Sequence, residues 1–228
     1  MFQTSTIVSL LNDVYEGEMT MGEVLAHGDL GLGTLCGLDG EMLVVDGEAL
    51  VGRADGSLSL VPLDTRIPFA VVTPFAPGLP ITLGPLVHSD LLTALDRASP
   101  APVCAVRVEG RFSRLRLRAV RRQHPPYPPL SEVVKEQAEW EVGAADAVLV
   151  GFRFPQMAAG VQVPGWHLHA ATADRTTGGH VLIADLESGE ALLDAAQEVH
   201  LELPPGVDIT AAGHARRRAI ADAETRSG

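Results

Sequence analysis

The chain has almost no lysine, little cysteine and few aromatic residues. Of its 17 basic side chains only Lys135 is a lysine, and the bases fall well short of the 29 acids, leaving a formal net charge of −12. An acidic chain lacks the basic surface that displaces counterions from nucleic acid, and it would be repelled by anionic lipid, so neither is expected as a partner. Two cysteines, Cys36 and Cys104, make neither a disulfide framework nor a metal motif. No apolar run approaches the ~18 residues of a membrane span. The first residues carry Asp13, Glu16 and Glu18 and no basic stretch, unlike a signal peptide. A cytoplasmic protein without a membrane association is therefore expected.

What is present is a globular composition. Of 228 residues 46% are hydrophobic and 20% charged, enough for one large domain or two small ones. The arginines are unevenly spread, with seven between Arg107 and Arg122.

Periodicity gives a coarse map. Ile7, Leu10, Leu11 and Val14 share a helical face, and Thr20 to Glu23 matches a capping box for a second helix that stops at Gly28. Gly28 to Gly33 reads as a glycine-rich turn, and not as a nucleotide loop, since no strand precedes it. The period then changes to that of strands. Leu43–Val45 and Ala49–Val51 flank Asp46-Gly47 as a hairpin, and Asp55-Gly56 turns toward Leu58–Leu60. Phe69–Val72 is a strand, 74–85 a loop or crossover, and a short helix follows Ser89. Two strands are expected at 103–108 and 112–120. Ser131 is placed to cap a helix reaching about Trp140. Further strands fall at 147–152, 166–171, 180–185 and 199–203, and a polar helix at 211–224.

Three histidines carry the chemistry. His167 and His169 stand at i and i+2, which in a strand points both to one face with Cα atoms roughly 6.5–7 Å apart. The polar stretch 173–179 ends in Gly-Gly and can return the chain, placing His180 on the neighbouring strand. Three imidazoles around one ion leave a coordination position open, as in catalytic metal sites. A pair of ordinary surface or core histidines remains the competing reading. Thr34 and Glu41 bracket a short segment between the glycine turn and a strand, where Glu41 is either a site acid or a solvated carboxylate. Arg114, Arg116 and Arg118 alternate with Leu115 and Leu117 and so share a face, turned either to solvent or toward a bound anion.

The chain resembles the bacterial acetolactate decarboxylase family along nearly its whole length. The matching stretches include Gln3–Ile7, Val14–Thr20, His27–Thr34, Leu38–Glu41, Thr65–Phe69, Arg118-Ala-Val, Gln123, Pro126-Tyr127, Val163–His169, Asp174-Arg175 and Gly178–Leu182. The resemblance implies decarboxylation of 2-acetolactate to acetoin and carbon dioxide by a zinc enzyme. Its ligands would be His167, His169 and His180. The family's active-site threonine, first glutamate and arginine fall on Thr34, Glu41 and Arg118, and its second glutamate, near the C-terminus, on Glu224. It also implies a homodimer. Ala170 and Ile183-Ala184 depart from the family, which has aromatic residues near these places, and the loss of bulk is expected to alter the pocket.

The expected fold is mixed α/β, in two sheet-based halves with mixed and antiparallel sheets, few flanking helices and the three histidines on adjacent strands of the C-terminal half. The halves are taken as 1–123, carrying Thr34, Glu41 and Arg118, and 124–228, carrying the metal site. A zinc hydrolase using Glu41 as general base, or a non-catalytic protein retaining a metal and a small acid, would use the same residues.

Overall fold

The computed structural model describes residues 1–99 and 101–203. Glu224 and the helix expected at 211–224 lie outside them. The strands in chain order are β1 (Phe2–Thr4), β2 (Met19–Thr20), β3 (Leu30–Thr34), β4 (Glu41–Val45), β5 (Glu48–Gly52), β6 (Leu58–Leu60), β7 (Arg66–Ile67) and β8 (Phe69–Thr73). They continue as β9 (Ile81–Leu83), β10 (Cys104–Ala119), β11 (Ala138–Val142), β12 (Ala145–Phe154), β13 (Gly165–Thr172), β14 (Gly178–Ala195) and β15 (His200–Glu202). The α-helices are α1 (Ile7–Leu11), α2 (Met21–Leu25), α3 (His88–Ala98) and α4 (Leu130–Val133).

The local chemistry explains most of these elements. Thr20 accepts from the Glu23 amide while the Glu23 side chain accepts from the Thr20 amide, the reciprocal cap that starts α2. Asp46 and Gly47 both have positive φ, 52° and 75°, which gives the β4–β5 hairpin a turn whose twist matches its strands.

Several elements differ from the expectations. α1 stops at Leu11, because Asp13 takes a left-handed backbone (φ 63°) that a continuing helix cannot use. The glycine-rich stretch is the strand β3, in which Leu30, Leu32 and Thr34 alternate with glycines. The loop after Pro74 contains β9. The two strands expected at 103–108 and 112–120 are one strand, β10, with register shifts against β14 near Phe112 and Leu117 that let it bend without ending. The helix expected from Ser131 to Trp140 is over by Glu136; α4 follows Pro129, and Trp140 lies on β11.

The fold is mixed α/β on two large sheets. The first runs β15-β1-β8-β3-β4-β5-β6, antiparallel except for the parallel pair β15–β1. The second runs β11-β10-β12-β13-β14-β9, and β14 pairs again with β10, so that β10, β12, β13 and β14 close a ring of antiparallel pairs. The division expected at residue 123 does not follow the sheets: β9 and β10 precede it and belong to the second sheet, while β15 follows it and belongs to the first. Long-range pairing, invisible in local periodicity, decides this.

Apolar side chains from the two sheets meet in one layer, with Leu32, Leu43 and Val71 against Val150, Phe152 and Ala171. The outer face of the first sheet is covered by Met21 and Val24 of α2, and the interior of the ring by Leu91 and Leu95 of α3. α1 and α4 plug one end of the inter-sheet layer through Ile7, Leu10, Leu130 and Val133. The sheets approach closely where Gly52 of β5 meets Gly178 of β14; a Cβ at residue 52 would lie 1.9 Å from the Gly178 carbonyl oxygen. No described helix is long and apolar enough to cross a membrane.

Candidate active site

Along several strands the inward-facing residues change from apolar to polar at the same end. On β13 the inward row is Ala171, then His169, then His167; on β4 it is Val45, Leu43, then Glu41; on β3 it is Leu30, Leu32, then Thr34. Both sheets therefore place polar side chains where α1 and α4 close the layer.

The three histidines meet there. His169 stands opposite His180 in the β13–β14 register, and His180 stands opposite Arg118 in the β14–β10 register. One row thus crosses three adjacent strands, with His167 two residues along. The imidazole ring centres are 5.0, 5.0 and 5.4 Å apart, and one nitrogen of each ring lies within 4.8 Å of the others. All three are buried. Burial, followed by the positive charge of Arg118, pushes the His167 pKa down to about 3 and holds that of His180 well below the usual value, with the neighbouring histidines adding to the latter. Neutral imidazole is the form that ligates a metal.

His169 Nδ1 lies 2.7 Å from the carbonyl oxygen of Met42. A carbonyl only accepts, so Nδ1 carries the hydrogen, and in the neutral ring Nε2 is the nitrogen left to ligate. This contact joins the two sheets, and it ties a histidine to the strand that begins with Glu41. The Nδ1 atom of His167 is buried with no hydrogen-bond partner among the described residues. A buried polar nitrogen left without a protein partner is disfavoured unless a ligand takes it. Three neutral, converging imidazoles suit a borderline-soft divalent ion such as zinc.

Glu41 and Arg118 complete the polar group. Arg118 Nη1 donates to Glu41 Oε1 at 3.0 Å, and Glu41 Oε2 lies 3.5 Å from His169 Nε2. Both side chains are buried. Arg114 and Arg116 share the face of Arg118 but not its fate. Arg114 pairs with Glu141 and Arg116 with Glu139, both at 2.6 Å and both on β11 near solvent. The next position of that alternation on the partner strand side is Gln137, so the row of acids ends. At that point the first sheet covers β10, and Arg118 takes its carboxylate from Glu41 instead. Thr34 stands opposite Glu41 in the β3–β4 register and donates its hydroxyl to the Gly40 carbonyl at 2.7 Å. Its oxygen remains an acceptor for a bound hydroxyl group.

Of these residues His167, His169, Glu41, Arg118 and Thr34 line a cleft of about 530 Å³ of atom-free space, part of it open to solvent, with His180 behind them. The rest of the lining is apolar: Phe69 beside Thr34 on the first sheet, Leu38, and, from the helices, Ile7 and Leu10 of α1 and Leu130 with Val134 of α4 and the turn after it. The cleft thus has a charged floor and an aliphatic roof. The sequence reading missed the roof, because aliphatic residues at helical spacing carry no chemical signal of their own. It also misplaced Ala170 and Ala184, which were expected to change the pocket. Both face the α3 side of the second sheet with Leu168 and Val181, away from the histidines. Of the expected site residues, His167, His169, His180, Glu41, Arg118 and Thr34 converge, and Glu224 lies outside the described residues.

The family model for alpha-acetolactate decarboxylase matches residues 1–212 of this chain. The alpha-acetolactate decarboxylase of Methylococcus capsulatus is 41% identical over 206 residues, covering 89% of this chain and 79% of that protein. That of Bacillus subtilis is 33% identical over 230 aligned residues, covering 100% of this chain and 90% of that protein. The crystal structure of the Bacillus subtilis protein superposes with a TM-score of 0.93 at 31% identity, covering 98% of each chain. With its length, its two-sheet architecture and its residues all in agreement, the chain belongs to the alpha-acetolactate decarboxylase family.

Proposed function

We propose that this protein decarboxylates 2-acetolactate to acetoin and carbon dioxide, with zinc held by His167, His169 and His180. The observation that carries the reading is the convergence of three buried imidazoles with a buried arginine–carboxylate pair beside a cleft whose remaining lining is, apart from Thr34, apolar.

2-Acetolactate is a 3-oxo acid with a hydroxyl on the carbon that bears the carboxylate. When the bond to the carboxylate breaks, its electron pair moves onto the ketone oxygen, giving an enediolate and carbon dioxide. A proton must then reach the carbon that lost the carboxylate. The bound cation supplies Lewis acidity that offsets the negative charge developing on oxygen.

The chain's own residues supply the rest. Arg118 binds the substrate anion; its position is fixed by strand pairing on both sides, so little reorganisation is needed as charge shifts. Thr34 accepts from the substrate hydroxyl through the oxygen whose hydrogen is committed to Gly40. Glu41 is the only carboxylic acid among the described residues that line the cleft; paired with Arg118 it is a carboxylate, so it takes up a proton from solvent once the substrate anion engages Arg118 and passes that proton to carbon. Delivery from the first sheet reaches one face of the carbon and so fixes the handedness of the product. Glu224 is proposed, on the resemblance, as a second acid of the site. β15 runs parallel to β1, whose end leads into α1, so the chain leaves Glu202 toward the end of the molecule that holds the cleft. The aliphatic roof excludes water from the carbanionic carbon and receives the two methyl groups.

A homodimer and a cytoplasmic setting complete the proposal. The test is an assay of purified protein with 2-acetolactate, following acetoin and carbon dioxide before chelation, after it, and after zinc is restored. Activity that disappears and returns with the metal supports the reading. Binding of 2-acetolactate without carbon dioxide release would replace it with a non-catalytic acid-binding protein.

A further inference from the structure

We propose that Val134 sets the size of alkyl group the cleft accepts, and so determines which 2-acyl-2-hydroxy acids the enzyme turns over. The inference rests on the acetolactate reading of the site.

The floor and roof of the cleft divide a substrate by polarity. Carboxylate, hydroxyl and ketone oxygens belong with Arg118, Thr34 and the histidines, which leaves the alkyl substituents against the roof. The roof residues are not equally free to vary. Ile7, Leu10, Leu38, Phe69 and Leu130 are all buried in one apolar cluster that seals this end of the inter-sheet layer. Each therefore holds the fold together as well as facing the cleft, and truncating any of them leaves a cavity in the core. Val134 is different. It lines the cleft but is only partly buried, packing on the edge of the cluster from the first residue of the 3-10 turn Val134–Glu136. It follows Leu130 by four residues, so both project to the same side. Methyl groups removed from Val134 open space at the cleft without emptying the core behind it.

Two of the substitutions the sequence suggested on the metal strands cannot play this part. Ala170 and Ala184 face α3, on the far side of the second sheet from the cleft. Size selection is thereby assigned to the segment that follows the prolines of 125–129 and not to Ala170 or Ala184.

The test compares zinc-loaded wild type with Val134→Ala, Val134→Phe and Val134→Thr on three substrates. These are 2-acetolactate, its homologue lengthened by one methylene on the hydroxyl-bearing carbon, and the isomer lengthened at the acyl end. One methylene in an apolar site is worth about 10- to 200-fold in kcat/KM. Val134→Ala is expected to shift the kcat/KM ratio toward at least one longer substrate by about 10-fold, and Val134→Phe to shift it the other way. Val134→Thr keeps the size of valine and should leave the ratio where it was. Ratios unmoved in the alanine and phenylalanine variants, with 2-acetolactate still consumed, would overturn the inference and leave the acetolactate reading standing. A ratio that moves in Val134→Thr as far as in Val134→Ala would overturn it in favour of polarity. Wild type that releases no acetoin from 2-acetolactate removes the reading beneath it, and the inference with it.

Discussion

Arg118 and Glu41 form a buried ion pair across the two sheets, with Nη1 and Oε1 3.0 Å apart and the two residues 77 positions apart in sequence. Both side chains are buried where they line the cleft. Breaking a buried pair by removing one partner typically costs about 3–5 kcal/mol. Arg118→Ala should therefore lower stability by an amount of that order and abolish turnover. Denaturant unfolding of the metal-free protein measures the first, and the acetoin assay the second. Arg118→Lys, which keeps the charge but not the planar fork, should retain more of the stability than of the activity.

Glu41→Gln tests the proton role separately. The amide can still accept from Arg118, so the metal content should survive, while the lost counter-charge lowers stability. Turnover should fall by about 10²-fold or more, the usual scale for a lost general acid. Metal content by elemental analysis beside kcat decides it. Unchanged turnover would return Glu41 to a purely structural partner of Arg118.

His169→Ala should lose zinc and activity together, whereas chelation of the wild type should lose activity reversibly. The histidines also impose a pH dependence on the metal-free protein. His167 in the folded state takes up a proton only near pH 3, and His180 likewise well below its usual range, whereas both take one up near 6.5 when unfolded. Below about 6.5 the unfolded chain binds more protons than the folded one, so stability falls as pH falls and is fully present above that value. Each histidine contributes up to about 1.4 kcal/mol per pH unit in that window. Denaturation midpoints of the chelated protein at pH 7.5, 6.0 and 5.0 should decline in order. His180→Ala should reduce the slope.

Gly52→Ala should damage the site without touching it. Its Cβ would stand 1.9 Å from the Gly178 carbonyl oxygen, two residues before His180, and backbone on both sides leaves no flexible atom to yield. The expected result is a loss of more than about 2 kcal/mol together with weaker zinc binding. Gly78→Ala, where nothing lies within 4 Å, is the control and should be neutral.

The parts legible in the sequence were those written in short-range periodicity. The i, i+2 spacing of His167 and His169 and the Gly-Gly return before His180 set three ligands on two adjacent strands, and β13–β14 pair that way. The shared face of Arg114, Arg116 and Arg118 was equally readable. What covers that face was not. Exposure changes along β10 because the first sheet overlies one end of it and the acids of β11 run beside the rest, and both are long-range facts. The same reason explains why 103–120 looked like two strands, since a bulge and a turn leave similar local marks. Ala170 was misjudged because adjacency in sequence to His169 puts a strand residue on the opposite face, not beside it.

The turn that carries Val134 has a practical consequence. Its next residue, exposed on the surface, is Lys135, the chain's single lysine. Besides an α-amino group, an amine-reactive fluorophore therefore has one side-chain attachment point in this sequence, next to a residue that lines the cleft. With the α-amino group blocked, labelling becomes site-specific without any mutation. The emission of that dye would then register substrate entering or product leaving, in the native sequence and in real time.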